Sequence, residues 1–183
     1  MDINEGLTIV NISSFENLAI LSKTPLNRNT GSITILDDLI FTVNYLGSLK
    51  IFNVSNLENI ALIHEYSDTI NSGWDIKIDS TRKLAFITDQ DLGLKIIDIQ
   101  NPLNPILIQE YADDTTRYNN VFIKGDKIYL ITNKGLAILG LEIRNKSSTI
   151  TETTENSKTV QNNELYNIFM CFMILYVIKR RFK

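Results

Sequence analysis

Leu94-Lys95-Ile96-Ile97-Asp98-Ile99-Gln100 decides the reading of this chain, because the same phrase occurs as Leu49-Lys50-Ile51-Phe52-Asn53-Val54-Ser55 and as Leu7-Thr8-Ile9-Val10-Asn11-Ile12-Ser13. The leading leucines lie 42 and then 45 residues apart, and a weaker copy, Leu136-Ala137-Ile138-Leu139-Gly140-Leu141, starts 42 residues further on. Each copy alternates side chains like a strand, and several are apolar on both faces, as a strand packed on both sides requires.

Outward from each copy the neighbourhood repeats too. Downstream lie Phe15 to Leu21, Leu57 to Ile63 and Leu103 to Ile108, each a turn leading into a short β-prone run that reads as a hairpin partner. Upstream of the later copies lie paired runs: Ile33 to Leu36 with Leu39 to Asn44, Ile76 to Asp79 with Leu84 to Asp89, and Val121 to Lys124 with Ile128 to Asn133. Their linkers have hairpin length, and Gly125 offers the positive φ of a tight turn. Gly47, Gly93 and Gly135 each stand just before a copy and predict a left-handed residue at the strand entrance. Four strands per period of this length is the signature of a β-propeller blade.

Gly93-Leu94-Lys95-Ile96-Ile97-Asp98-Ile99-Gln100-Asn101-Pro102-Leu103-Asn104-Pro105 resembles the LVIVD repeat, a Leu-x-Ile-Val-Asp-Ile-Ser core followed by Asn-Pro-x-x-Pro. Ser55-Asn56-Leu57 keeps the Asn without the prolines, and Ser13-Ser14-Phe15 keeps neither. The resemblance covers about residues 6–143. It implies a β-propeller of the kind displayed on prokaryotic, often archaeal, surfaces, with structural rather than catalytic motif residues. It also implies a strand order in each blade running from the innermost strand (Ile33 to Leu36) to the outermost (Ile60 to Tyr66).

The expected architecture is therefore all-β: residues 1–143 form about three to three and a half four-stranded blades, an incomplete ring. Two origins are open, a piece of a longer propeller or a ring completed by another chain, including a homo-oligomer. The acidic start Met1-Asp2-Ile3-Asn4-Glu5 has no secretory signal, and sequence missing upstream would account for both that and the blade count.

Residues 144–163 are rich in Ser, Thr, Asn and Glu, the composition of a disordered stalk. Residues 164–183 hold an apolar run, Leu165 to Ile178, before Lys179, Arg180, Arg181 and Lys183. The run is short of the roughly 20 residues that span a bilayer, leaving a buried helix as the alternative. Its apolar character all round, flanking Tyr166 and Tyr176, and basic end predict a single-pass membrane helix with its tail cytoplasmic and the repeats outside.

The net charge is −3, and without the four terminal cations residues 1–178 stand at −7. Such a domain lacks the basic patch that nucleic-acid binding needs. The single His64 excludes a histidine metal cage or a serine–histidine triad within this chain, and Cys171 has no disulfide partner here. Asp89-Gln90-Asp91, Asp37-Asp38 and Asp113-Asp114 read as solvated turns, so no catalytic residue, metal site or cofactor is expected. The loops of one face carry Tyr45, Trp74, Asp91, Arg117 and Tyr118 as candidate partner-binding residues, with core packing the competing reading at Trp74. The expected function is a non-catalytic, membrane-tethered scaffold for a protein or glycan. The alternatives are a fragment of a propeller enzyme and a cytosolic tail-anchored adaptor.

Overall fold

A computed structural model describes residues 6–14, 16–26, 30–113, 115–144 and 172–177. Among them there are strands and turns but no helix. The order is β1 (Leu7–Asn11), β2 (Ala19–Thr24), β3 (Thr30–Leu36), β4 (Leu39–Asn44), β5 (Ser48–Asn53), β6 (Ala61–Tyr66), β7 (Gly73–Asp79), β8 (Leu84–Asp89), β9 (Gly93–Asp98), β10 (Ile106–Tyr111), β11 (Tyr118–Lys124), β12 (Lys127–Thr132), β13 (Gly135–Arg144) and β14 (Phe172–Val177). They form four small antiparallel sheets: β1-β2, β3-β4-β5-β6, β7-β8-β9-β10 and β11-β12-β13-β14. Each sheet joins strands in chain order, which is consistent with propeller-like blades.

The repeat phrase is the third strand of each four-stranded sheet and β1 of the two-stranded one, and its physical content is visible at its end. Asn11, Asn53 and Asp98 close β1, β5 and β9, and the Oδ1 of each accepts the backbone N–H two residues on, from Ser13, Ser55 and Gln100 at 2.9, 2.8 and 2.8 Å. Such a side chain offers the backbone an alternative to the ladder and stops the strand. The fourth copy has Gly140 at this position, and β13 runs on to Arg144 as a ten-residue strand.

A second repeated device sits between third and outer strands. The register of β1 against β2 shifts between Ile9 and Val10, that of β5 against β6 between Ile51 and Phe52, and that of β9 against β10 between Ile96 and Ile97. These are equivalent positions, so the two-stranded β1-β2 sheet is built as the third and outer strands of a blade. Gly93, at φ 88°, shows why glycine enters the phrase: a Cβ there would lie 2.2 Å from the Tyr111 carbonyl oxygen.

The core lies between sheets. Phe41, Val43, Leu49 and Ile51 meet Ile76, Ala85, Ile87 and Ile97, while Leu84, Phe86, Leu94 and Ile96 meet Val121, Ile128, Leu130 and Leu139. A smaller cluster joins Leu7 to Ile40, Phe52 and Val54 of the next sheet.

Of the segment expected as a helix over 164–183 the structure describes only Phe172–Val177, as β14, paired antiparallel with β13 from Leu139↔Val177 to Arg144↔Phe172. The segment Phe-Met-Ile-Leu-Tyr-Val is aromatic and β-branched, a composition suited to a pleated surface, and β13 gives it a free edge. Its pairing lacks the register shift that marks the other outer strands. The rest of that expected helix and the expected stalk at 145–163 lie outside the described residues. Among the described residues no helix is long and apolar enough to cross a membrane, which says nothing of a β-barrel.

Candidate binding face

The turns between second and third strands and the connections between sheets lie at the same end of the strands, where Tyr45 and Trp74 are brought together. Their ring centroids are 4.7 Å apart at an interplanar angle of 48°. Trp74 occupies the extra residue of a register shift between Gly73 and Asp75, and such a bulge re-aims a side chain away from the ladder. Equivalent shifts occur at Thr30/Ser32 and Tyr118/Asn120. In β3 the bulge residue is Gly31, where a Cβ would stand 2.9 Å from the Trp74 carbonyl oxygen and 3.1 Å from the Tyr45 ring. The glycine thus makes room for the β7 backbone at Gly73 and Trp74 and for the edge of the Tyr45 ring. Leu46 and Leu92, in equivalent turns, are exposed on the same side.

The other candidate residues divide. Arg117 is exposed, and its N–H donates to Asn133 Oδ1 at 2.9 Å. Asp91 is exposed, with its N–H donating to Asp89 Oδ1 at 3.1 Å. Tyr118 is a correction: it is 2% exposed, begins β11, and stacks edge-on against Tyr111 at 6.2 Å. Burial pushes its phenol up to about 12, with the neighbouring Tyr111 and Asp113 adding to the effect. It packs in the core with Leu94, Ile96 and Val121. His64 is half-buried on outer strand β6.

Two buried carboxylates were not singled out as functional from sequence. Asp89 accepts four backbone N–H groups, Asn71 at 2.6 Å and Ser72 at 3.1 Å on Oδ2, and Asp91 at 3.1 Å and Leu92 at 3.0 Å on Oδ1. It ties a sheet-to-sheet connection to a turn, and its oxygens are occupied. Asp75, on inner strand β7, joins three sheets. Ser32 Oγ of β3 and Lys77 Nζ donate to Oδ1, both at 2.7 Å, and the Val121 N–H of β11 donates to Oδ2 at 3.2 Å. Burial opposes the charge, yet the bonds from Lys77, Ser32 and Val121 hold the carboxyl below its ordinary value. Ser32, Asp75 and Asn120 are equivalent residues of three inner strands, each just past its bulge, so the seam is a property of the repeat frame.

At the opposite end Arg82 pairs with Asp79 at 2.6 Å and with Asp126 of the next sheet, and Lys83 pairs with Asp37 of the preceding one at 3.3 Å. Asp113 is exposed, and the Thr115 N–H and hydroxyl hold its carboxyl far below the carboxylate range. Among the described residues no group of three or more His, Cys, Asp or Glu side chains is placed to hold a metal. The arrangement can bind by stacking and apolar contact at Tyr45 and Trp74, while both buried carboxylates are saturated with donors.

The family model for the LVIVD repeat matches residues 75–113. Among solved structures, the chain is similar to a functionally unknown protein from Desulfotomaculum acetoxidans, with a TM-score of 0.61 and 16% identity, over 76% of this chain and 47% of that one. The likeness is one of fold, and this chain spans less than half the length of that neighbour. No curated protein matches.

Proposed function

With residues 75–113 an LVIVD repeat, we propose that this chain is a non-catalytic binding scaffold of β-propeller type that takes a protein or glycan partner on the face around Tyr45 and Trp74. The observation that carries the reading is the aromatic pair itself. Two rings are held 4.7 Å apart at the end of the strands where the turns of exposed Leu46 and Leu92 also lie. Aromatic side chains with an apolar body and a polar tip are the usual anchors of protein interfaces, and flat rings stack on sugar rings.

Trp74 is the single tryptophan of the chain, so its emission reports on this face alone. Titration with a panel of soluble glycans and with candidate surface proteins is expected to shift Trp74 emission saturably, and Tyr45→Ala is expected to weaken the response about tenfold or more, the usual weight of a central aromatic anchor. A partner that binds the full chain with equal affinity after Trp74→Ala would refute the assignment of this face.

Display outside the cell is supported by the resemblance to surface propellers. Protease accessibility of the repeats on intact cells tests it.

A further inference from the structure

Repetition supplies an internal control for every exposed apolar residue. Ile76 of β7 and Val121 of β11 are fully buried, each against the second and third strands of the preceding sheet. Their equivalent in β3 is Ile33, which is 51% exposed, and two residues on, where Ile78 and Ile123 are partly buried, Ile35 is 63% exposed. The sheet before β3 is β1-β2, built as third and outer strands only. Through Leu7 and Ile9 it covers Ile40, Phe52 and Val54, the outer half of the face. The inner half is bare, and among the described residues β1 has a ladder partner on one side only.

We propose that the open edge of β1, together with Ile33 and Ile35, is a docking site for one antiparallel β-hairpin, the first two strands of a blade of the same repeat type, carried by a partner polypeptide. The occupant follows from what is already seated. In the other sheets the position beside the third strand belongs to the second strand, whose Phe41 and Val43, or Phe86, cover the next inner strand. A hairpin with apolar residues at those positions would extend the β1 ladder by main-chain hydrogen bonds and bury both isoleucines, which is strand addition at a sheet edge. The last sheet of a second copy does not fit the same space, because it brings its own third strand, β13, into the place that β1 holds. The site is separate from the Tyr45 and Trp74 face, so either reading can fail without the other.

The probe is a peptide of residues 73–89, the chain's own first and second strands, added to the full-length protein. The expected result is saturable binding that slows hydrogen exchange at the amides of Leu7–Asn11. Ile33→Asp and Ile35→Asp are each expected to weaken binding roughly tenfold or more, the loss of one buried isoleucine. Ile106→Asp, at an equally exposed isoleucine of outer strand β10, is expected to leave it unchanged.

A free hairpin is marginally structured, so a second protein carries residues 73–92 directly ahead of Gly6, where they reproduce the turn that leads from β8 into Gly93. This fusion is expected to raise the melting midpoint and to lose that rise with Ile35→Asp. Unchanged exchange at β1 in both experiments, binding insensitive to Ile33 and Ile35, or a peptide-free homodimer that protects the same amides would each overturn the proposal.

Discussion

Replacing Asp75 by alanine removes a side chain that bonds three sheets at once. The carboxylate accepts the Ser32 hydroxyl, the buried Val121 N–H and the Lys77 ammonium. Stranding a buried donor costs about 1–3 kcal/mol, so losing the acceptor for Val121 and for part-buried Ser32 costs about 3 kcal/mol together. Lys77 adds little: its side chain is 37% exposed and it retains a bond to the Ile76 carbonyl at 3.1 Å. Against a typical domain stability of about 5–15 kcal/mol, Asp75→Ala should lower the urea midpoint severely. Asp75→Asn keeps one acceptor and should cost about 1–2 kcal/mol.

The signature of the seam is coupling. A double-mutant cycle with Ser32→Ala should give an interaction of about 1 kcal/mol between residues 43 apart in sequence. An Asp75→Ala cost under about 0.5 kcal/mol, or strict additivity with Ser32→Ala, refutes the reasoning, since surface changes fall in that range.

Because the folded carboxyl of Asp75 sits below its ordinary value, its contribution is full above the unfolded-state pKa of about 3.9 and is lost as pH falls through the folded one. Wild-type unfolding free energy should therefore decline below about pH 4, and Asp75→Asn should flatten that decline. Gly93→Ala, at φ 88° with its Cβ 2.2 Å from the Tyr111 carbonyl oxygen, should destabilise by more than about 1 kcal/mol, read as a drop in melting midpoint. Leu94 and Leu136 hold the same place in the phrase but are 0% and 65% exposed. Leu94→Ala should cost about 2–5 kcal/mol and Leu136→Ala less than about 0.5 by denaturant titration. Asp98→Ala should cost about 1 kcal/mol and speed exchange of the Gln100 amide, by loss of the turn bond.

The strands between Leu7 and Leu141 are legible because each carries two signals at once, a period-2 pattern and a recurrence of the whole phrase. The left-handed glycines at 47, 93 and 135 are legible for the same reason. The role of Asn11, Asn53 and Asp98 is legible as a recurrence of short polar acceptors at the end of the phrase, broken at Gly140, but the bond each makes to the N–H two residues on is visible only in the fold. The Asp75 seam is harder. Serine, aspartate and asparagine at equivalent positions look unrelated until the bulge aligns them.

Tyr118 reads as a loop residue because polar residues precede it, whereas its place as the first residue of an inner strand turns it inward. Tyr45 and Trp74 fall where the repeat predicts a shared face, but the need for glycine at 31 beside them is evident only from the approach of the β7 backbone. At the C-terminal run, uniform apolarity suggested a helix. Its aromatic and β-branched content is equally suited to a strand, and the described residues Phe172–Val177 pair with the edge of β13.

The β7-β10 sheet packs against β3-β6 on one side and β11-β14 on the other, and β8 is buried throughout its length while β3, β12 and β2 are not. In an array whose units touch only their neighbours, loosening starts at the termini of the stack and moves inward. The β7-β10 sheet, which carries the matched repeat, is therefore expected to be the last to open in native-state exchange.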